Sequence, residues 1–167
     1  GAPIEVVKAE LSDLLVPAHS EIVIEGEMPI DKFWPHEGPF GEFTGYMGQA
    51  VNKSFYIEVK KVTHRRNPIF NGTYEGRPPS ESTLVRTMGR SSAVLEHLRR
   101  AGLVGIKDLC VTEAGCAGFH VNVAIKKSYA GHVRDVMLNI WGMPILYCKH
   151  VTVVDEDIDP WSPFMVE

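Results

Sequence analysis

Short apolar runs separated by turn residues characterise the first half of the chain. Residues 21–28, EIVIEGEM, place three consecutive β-branched residues ahead of Gly26 and Pro29, which predicts a buried strand. Residues 55–63, FYIEVKKVT, alternate partly between apolar and polar side chains and predict a second strand. The mixed run at residues 4–15, IEVVKAELSDLL, also indicates strand structure near the start of the chain.

The apolar spacing changes to a helical period after residue 80. The apolar positions that recur at this spacing are Leu84, Met88, Leu95 and Leu98. Ser80 or Ser82 can cap the start of the predicted helix, and Gly102 can adopt the left-handed conformation that ends it. Gly89 lies inside the same run, where a glycine can interrupt a helix.

Three further strands and a second helix are predicted after this helix. In chain order they are a strand at 107–113, a strand at 119–127, a helix at 132–142 and a strand at 145–157. The order helix, strand, strand, helix, strand indicates an α+β layer with helices on one face of a mixed sheet. Prolines and glycines near residues 76–82 predict a domain boundary, with a β-rich domain at 1–79 and an α+β domain at 80–167.

The composition excludes several classes of protein. The chain has 167 residues, 44% of them hydrophobic, which is enough for one core or two small ones. Seventeen Lys and Arg residues against 21 Asp and Glu give a net charge of -4, without the basic surface that nucleic acid requires. No apolar run approaches the roughly 18 residues of a membrane span and no signal segment is visible, so we expect a cytoplasmic protein. The cysteines, Cys110, Cys116 and Cys148, lack metal-ligand spacing and are expected to be reduced core thiols.

Two glutamates flank a stiff bend in the segment HEGPFGEFTGYMG, which begins at residue 36. Glu37 and Glu42 are five residues apart, which would place them on opposite faces of a strand and off the shared face of a helix. Gly38 and Gly41 permit unusual backbone angles and Pro39 fixes its own φ, so an irregular bend can bring both carboxylates to one site. Two such carboxylates repel unless a cation lies between them, so a catalytic pair here predicts an arginine or metal partner.

The same segment also fits a simpler interpretation. Both acids can face water from a surface turn, and the glycines then serve only the geometry of the chain. The spacing by itself leaves both interpretations open.

Four segments resemble the UbiD family of reversible decarboxylases, which use prenylated flavin mononucleotide (prenylated FMN). HEGPFGEFTGY resembles the family's EGPFGE segment, and the other three segments are EIVIEG (21–26), VTHRRNPI (62–69) and VVDEDID (153–159). All four follow the order of the family and together cover most of the chain, which favours the catalytic pair over the surface turn. The resemblance implies that residues 1–79 are part of a split β-barrel flavin-binding domain. It also implies that residues 80–167 begin a C-terminal oligomerisation domain.

The resemblance assigns roles to individual residues. By position, Glu42 matches the acid that exchanges a proton with the carbon losing its carboxylate, and Glu37 matches the acid that holds a catalytic arginine. Phe43 matches a position near the substrate ring, and Ser82 and Arg86 share one face at the start of a helix that lines the substrate pocket. Arg86 there would favour a substrate with a second polar or anionic group, such as a hydroxylated aromatic acid. The alternatives are a core aromatic at Phe43 and a solvated Arg86.

The implied function is non-oxidative, reversible decarboxylation of an aromatic or α,β-unsaturated carboxylic acid through a covalent adduct with prenylated FMN. A Glu-Arg-Glu network, Mn²⁺ and K⁺ are implied as well, and in the family a flavin prenyltransferase supplies the flavin. Because the chain resembles about the middle third of a family member, we expect a central fragment. The catalytic arginine and the Asn, His and Glu that hold the metal are then expected upstream of Gly1. We expect the isolated chain to be inactive and to bind the flavin poorly.

A function from a different class stays open. The α+β half resembles the part of UbiD-like proteins that carries subunit contacts, so the chain fits a non-catalytic interaction module or a vestigial UbiD-like protein as well. A fragment would expose surface that other domains normally cover, and this favours self-association into a homo-oligomer.

Overall fold

The computed structural model describes residues 2–144 and 147–167. The chain divides into two compact units. The first unit contains Gly1–Phe40 and Met47–Gly72, and the second unit contains Gly41–Tyr46 and Thr73–Glu167. The short segment Gly41–Tyr46 therefore belongs with residues that follow it much later in the sequence.

The first unit is built from two small antiparallel sheets. Strands β1 (Val6–Lys8) and β2 (Leu15–Pro17) form one sheet, and strands β3 (Ile22–Glu27) and β4 (Glu58–His64) form the other. The strands predicted near residues 21–28 and 55–63 are confirmed as β3 and β4, and the mixed run at the start of the chain contains two short strands. The burial predicted for the first of these strands is wrong, because no residue of β3 is fully buried. Most apolar side chains of this unit stay at least partly exposed, including Ile24 at 60%.

The second unit places helices on a mixed three-stranded sheet, as predicted. Its elements are α1 (Glu81–Arg100), β5 (Ile106–Val111), β6 (His120–Ile125), α2 (His132–Trp141), β7 (His150–Asp155) and α3 (Pro163–Val166). The sheet order is β5-β6-β7, with β5 antiparallel and β7 parallel to β6. The last strand begins at residue 150 rather than 145, and residues 145–146 of that prediction lie outside the described residues.

One buried hydrophobic cluster holds the second unit together. Its members come from α1, β5, β6, α2 and the residues just after α2: Val94, Leu98, Leu109, Val111, Val121, Val123, Ile125, Val136, Ile140 and Met143. Alternate residues of β5 and β6 point into this cluster, which is the period expected of strands with one face on a core. Among the described residues, no helix has the length and apolar character needed to cross a membrane.

Both predicted ends of α1 are confirmed. Ser80 is the N-cap, and its Oγ accepts a hydrogen bond from the backbone N–H of Thr83 at 3.2 Å. Gly102 follows the helix with a left-handed φ of 79°, a conformation that costs glycine little. The helix runs unbroken through Gly89, so the suggested interruption is wrong.

The predicted apolar face of α1 needs correction. Leu84 and Met88 are 47% and 61% exposed, whereas Leu98 is fully buried. The buried residues of the helix are Thr83, Thr87, Ser91, Val94 and Leu98. A search for apolar residues at helical spacing misses the first three because their side chains carry hydroxyls. The buried hydroxyl of Ser91 nevertheless keeps its hydrogen bonds, since its Oγ donates to the carbonyl of Thr87 at 2.6 Å and accepts from the N–H of Val111 at 2.9 Å.

Two leucine-to-alanine substitutions test this corrected face. Leu98→Ala should lower the free energy of unfolding by about 2 to 5 kcal/mol, because it opens a cavity in a fully buried cluster. Leu84→Ala is the matched control and should cost less than about 1 kcal/mol, since much of that side chain is already in water. Urea unfolding of both variants would measure the difference, and equal losses would contradict the assignment of the buried face.

Candidate functional site

Glu37 has a fixed backbone in the first unit. Its N–H donates to the carbonyl of Val51 at 3.2 Å, and the N–H of Val51 donates back to the Glu37 carbonyl at 2.8 Å. A second reciprocal pair joins Trp34 and Ser54 with distances of 2.8 and 3.1 Å. These four hydrogen bonds form a short antiparallel pairing, so the Glu37 Cα cannot shift without breaking it.

The bend after Glu37 uses a left-handed glycine. Gly38 has φ +72°, and a Cβ there would lie 3.2 Å from Cδ1 of Phe40. The need for a glycine at this position is confirmed. The matching expectation for Gly41 is wrong, because Gly41 has neither a positive φ nor an atom within 4 Å of an added Cβ.

Glu42 has a fixed backbone in the second unit, where Gly45 takes the role expected of Gly41. The N–H of Glu42 donates to the carbonyl of Tyr46 at 2.8 Å, and the N–H of Gly45 donates to the Glu42 carbonyl at 2.8 Å. Gly45 has φ +87°, and a Cβ added there would lie 2.9 Å from the Cβ of Arg77. The turn that holds Glu42 therefore depends on glycine at position 45. Because Glu37 and Glu42 belong to different units, their convergence at one site stays a prediction.

A cluster of side chains in the second unit, which we name the Arg86 cluster, brings together residues that the sequence analysis treated separately. It consists of Phe43, Glu75, Ser82, Arg86 and Phe119. The guanidinium carbon of Arg86 lies 5.2 Å from the centre of the Phe43 ring, which is a cation–π distance. The Phe43 and Phe119 rings lie 5.8 Å apart between centroids at an interplanar angle of 41°. Phe43 is thus held between a cation and a second aromatic ring.

Glu75 is the ionic partner of Arg86. The Nη2 of Arg86 donates a hydrogen bond to Oε1 of Glu75. The two side chains are 29% and 41% exposed, so the pair is partly shielded from water. The pKa of Glu75 is lowered by the hydrogen bond from Arg86 and, to a smaller extent, by hydrogen bonding to Ser82. Glu75 is therefore held as a carboxylate, and the pair is neutral as a whole.

The structure joins two of the three proposed substrate-binding residues directly. Phe43 contacts Arg86, whose carboxylate partner is Glu75, and the Ser82 hydroxyl lies 3.2 Å from the Ser80 hydroxyl. Sequence reasoning missed Glu75 and Phe119. Glu75 lies eleven residues before Arg86 in a segment without regular structure, so no helical or strand period pointed to it. Whether these residues bind a substrate stays a prediction.

The described residues fit a flavin cofactor only in part. The pocket beside Glu37 has aromatic walls from Trp34, Phe55 and Tyr56, but no Lys or Arg lines it to hold a phosphate. In the described ranges, no group of three His, Cys, Asp or Glu side chains could hold a metal ion. Burial raises the pKa of the Cys110 thiol to about 11, so the free thiol stays protonated at neutral pH.

Comparison with protein-family models finds two consecutive domains of one family. Residues 1–78 match the UbiD model, described as the 3-octaprenyl-4-hydroxybenzoate carboxy-lyase Rift-related domain. Residues 83–167 match the UbiD_C model, the C-terminal domain of the same carboxy-lyase. Together the two matches leave only four residues of the chain, 79–82, unassigned.

Three solved structures share the fold of this chain. The UbiD-class enzyme HmfF from Pelotomaculum thermopropionicum, an evolved dimeric form in complex with prFMN, is 34% identical with a TM-score of 0.82, over 98% of this chain and 37% of that one. Vanillic acid decarboxylase from Sedimentibacter hydroxybenzoicus is 32% identical with a TM-score of 0.82, over 95% of this chain and 33% of that one. The 3,4-dihydroxybenzoic acid decarboxylase AroY from Klebsiella pneumoniae, at 24% identity and a TM-score of 0.77, covers 98% and 35% and supports the fold alone. The chain spans about a third of the length of each.

Gly41 and Gly45 provide a matched test of the turn that holds Glu42. Gly45→Ala should lower the free energy of unfolding by at least about 1 kcal/mol, because alanine resists a positive φ and its Cβ would crowd Arg77. Gly41→Ala should change it by no more than about 0.5 kcal/mol, since nothing lies near its added Cβ. Thermal unfolding would measure both, and a larger loss for Gly41→Ala would refute the described turn.

Proposed function

This chain belongs to the UbiD family, and we propose that the protein it forms part of is a reversible decarboxylase that depends on prenylated FMN. The proposed substrate is an aromatic or α,β-unsaturated carboxylic acid. The observation that carries the proposal is the match of two consecutive family domains, supported by relatives at 34% and 32% identity that are named as a UbiD-class enzyme with prFMN and as vanillic acid decarboxylase. The chain spans about a third of these relatives, so the proposal concerns a longer protein.

Glu42 is the proposed proton donor and acceptor. When bound, prenylated FMN supplies the electron sink that weakens the bond between the substrate and its carboxylate. The Glu42 carboxyl then gives a proton to the carbon from which CO₂ has left, and it takes that proton back in the carboxylation direction. Its backbone bonds to Tyr46 and Gly45 fix the Cα from which the side chain reaches the substrate, and proton transfer to carbon requires such positioning.

Glu37 is proposed to orient an arginine supplied from outside this chain. Its carboxylate is free to accept from a guanidinium, because within the described residues its hydrogen bonds are made by the backbone alone. A cation in that position offsets the repulsion between Glu37 and Glu42 and lets one acid carry the exchangeable proton near neutral pH. The proposed Mn²⁺ and K⁺ are also assigned to residues outside this chain.

Phe43, Ser82 and Arg86 are the proposed substrate-binding residues. Phe43 follows Glu42 directly in the sequence, and its ring is held by Arg86 and Phe119. A ring beside the proton-transferring acid can pack on the ring of an aromatic acid. The Arg86 guanidinium can then recognise a polar group at the far end of the substrate.

A role in subunit contacts is a second proposal for the C-terminal domain. Leu84, Val85 and Met88 on α1 are 47%, 60% and 61% exposed, which is unusual for three large apolar side chains so close together. A homo-oligomer that covers this part of α1 would bury them. The proposal is compatible with catalysis, since the same helix carries Arg86 on another face.

Replacement of Glu42 tests the reaction. In the full-length protein reconstituted with prenylated FMN, Glu42→Gln should reduce CO₂ release from an aromatic acid by about 10²-fold or more, because glutamine cannot carry the proton. Glu10→Gln, at a surface ion pair with Lys61, is the control and should leave the rate unchanged. Full activity of Glu42→Gln would contradict the assigned role.

The isolated 167-residue chain should show no absorbance from bound prenylated flavin, and such absorbance would contradict the expected incompleteness of its flavin site.

Replacement of Arg86 tests substrate recognition. Arg86→Leu in the full-length enzyme should lower kcat/KM for hydroxylated aromatic acids by about tenfold, since it removes a charged hydrogen-bond donor. Plain cinnamate-like acids, which lack a second polar group, should be affected much less. An equal loss for both kinds of substrate in steady-state assays would refute a recognition role for Arg86.

A further inference from the structure

Two arginines on one face of α1 contact the two sides of an aromatic pair. Arg86 and Arg90 are four residues apart, so their side chains leave the helix in nearly the same direction. The guanidinium carbon of Arg86 lies 5.2 Å from the centre of the Phe43 ring. Nη1 of Arg90 donates to the carbonyl of Ala117 at 2.6 Å. Phe119, two residues further along, packs on Phe43 with 5.8 Å between the ring centroids. Helix α1 therefore reaches one ring directly and the other through the loop that carries it.

The loop between β5 and β6 has an unfavourable backbone conformation that Arg90 helps to hold. Cys116 and Ala117 both have φ 54°, and left-handed residues other than glycine persist only where neighbouring contacts hold them. Ala117 is fully buried, so loss of the guanidinium would take a donor away from a buried carbonyl. Gly118 permits the close approach, because a Cβ added there would lie 2.8 Å from Nη1 of Arg90.

Phe119 is fixed on the side of the loop that leads into β6. Its carbonyl accepts from the N–H of Lys149 at 2.8 Å and from the N–H of His150 at 3.0 Å. Nζ of Lys149 also lies 4.7 Å from the centre of the Phe119 ring. The freedom that is left to Phe119 lies in the loop before it, and Arg90 restrains that loop.

We propose that Arg90 is a positioning residue for Glu42. It holds the loop so that Phe119 keeps the ring of Phe43 in place, and Phe43 is the residue next to Glu42 in the sequence. All of these residues belong to the second unit. The proposal rests on the proposed function, because the proton transfer that Arg90 supports is the one assigned to Glu42.

Kinetics in two backgrounds test whether Arg90 acts through Glu42 in the full-length enzyme loaded with prenylated FMN. Arg90→Met should lower kcat for CO₂ release from 4-hydroxybenzoate or cinnamate by about tenfold, because methionine cannot donate to the loop. Arg90→Lys keeps a charged donor and should stay within about threefold of wild type. In a Glu42→Gln background, Arg90→Met should lower kcat by no more than about twofold, since the acid that it positions is already gone. A merely structural role would lower kcat by the same factor in both backgrounds.

Hydrogen exchange of residues 41–46 is a second readout that does not depend on turnover. The N–H groups of Glu42 and Gly45 close the turn of that segment. Arg90→Met should speed their exchange by about tenfold, as measured by mass spectrometry on the full-length enzyme. Arg99→Met makes the same change at an exposed position of the same helix and should leave the exchange as in wild type. A role confined to the loop would speed exchange in residues 113–118 alone.

Gly118→Ala tests the same contact from the loop side, with Arg90 retained. Its Cβ would crowd Nη1 of Arg90, so it should reproduce the faster exchange of residues 41–46. This variant decides the matter if Arg90→Met fails to fold.

The outcomes separate this proposal from the proposed function. Unchanged exchange of residues 41–46 in Arg90→Met and Gly118→Ala overturns the role of Arg90, whatever the rate of turnover. Equal losses of kcat in the two backgrounds also overturn it. If Glu42→Gln keeps full activity, or the wild-type enzyme releases no CO₂, the proposed function fails, and the exchange of residues 41–46 still decides whether Arg90 holds that turn.

Discussion

The packing of α1 against strand β5 is the contact on which the second unit depends. Val94 and Leu98 are fully buried in the cluster that Leu109 and Val111 enter from the strand. Small hydroxyl residues on the preceding turns let the helix approach the strand closely, and Ser91 supplies a hydrogen bond across that contact. Because this packing fixes the rotation of the helix about its axis, it also fixes the direction in which Arg86 leaves it.

The proposed chemistry combines fixed backbone with side chains that keep their hydrogen-bonding capacity. Glu37 is fixed by its pairing with Val51, and Glu42 is fixed by a turn that closes on Gly45. Backbone hydrogen bonds of this kind fix the Cα from which a side chain extends and leave the polar atoms of the side chain available. Arg86 differs, since its position is set by its partners, an aromatic ring below and a carboxylate beside it.

Much of the fold could be predicted from the sequence because its elements carry strong local signals. Helix α1 has a serine cap and a terminal glycine, and β3 has three β-branched residues in a row. The buried face of α1 could not be predicted, because Thr83, Thr87 and Ser91 count as polar in a pattern of apolar spacing although all three are buried. The hydroxyls of Thr83 and Ser91 find partners at the Ser80 Oγ and the Thr87 carbonyl.

The site could be predicted only where residues lie close in sequence or match a known segment. The need for a left-handed glycine at position 38 followed from the sequence around the two glutamates. The role of Gly45 did not, because a turn that closes on Tyr46 depends on backbone pairing that no local pattern shows. Glu75 was missed for a similar reason, because it contacts Arg86 from a segment without regular structure.

The placement of Gly41–Tyr46 in the second unit has a consequence for the modular exchange of domains. Phe43 belongs by sequence to the first family domain but contacts Arg86, which belongs to the second. A chimera that joined domains from two relatives near residue 80 would take the aromatic ring from one parent and its cation from the other. Under the substrate-binding role proposed for Phe43 and Arg86, substrate preference in such hybrids would follow neither parent, because the ring and the cation are inherited separately.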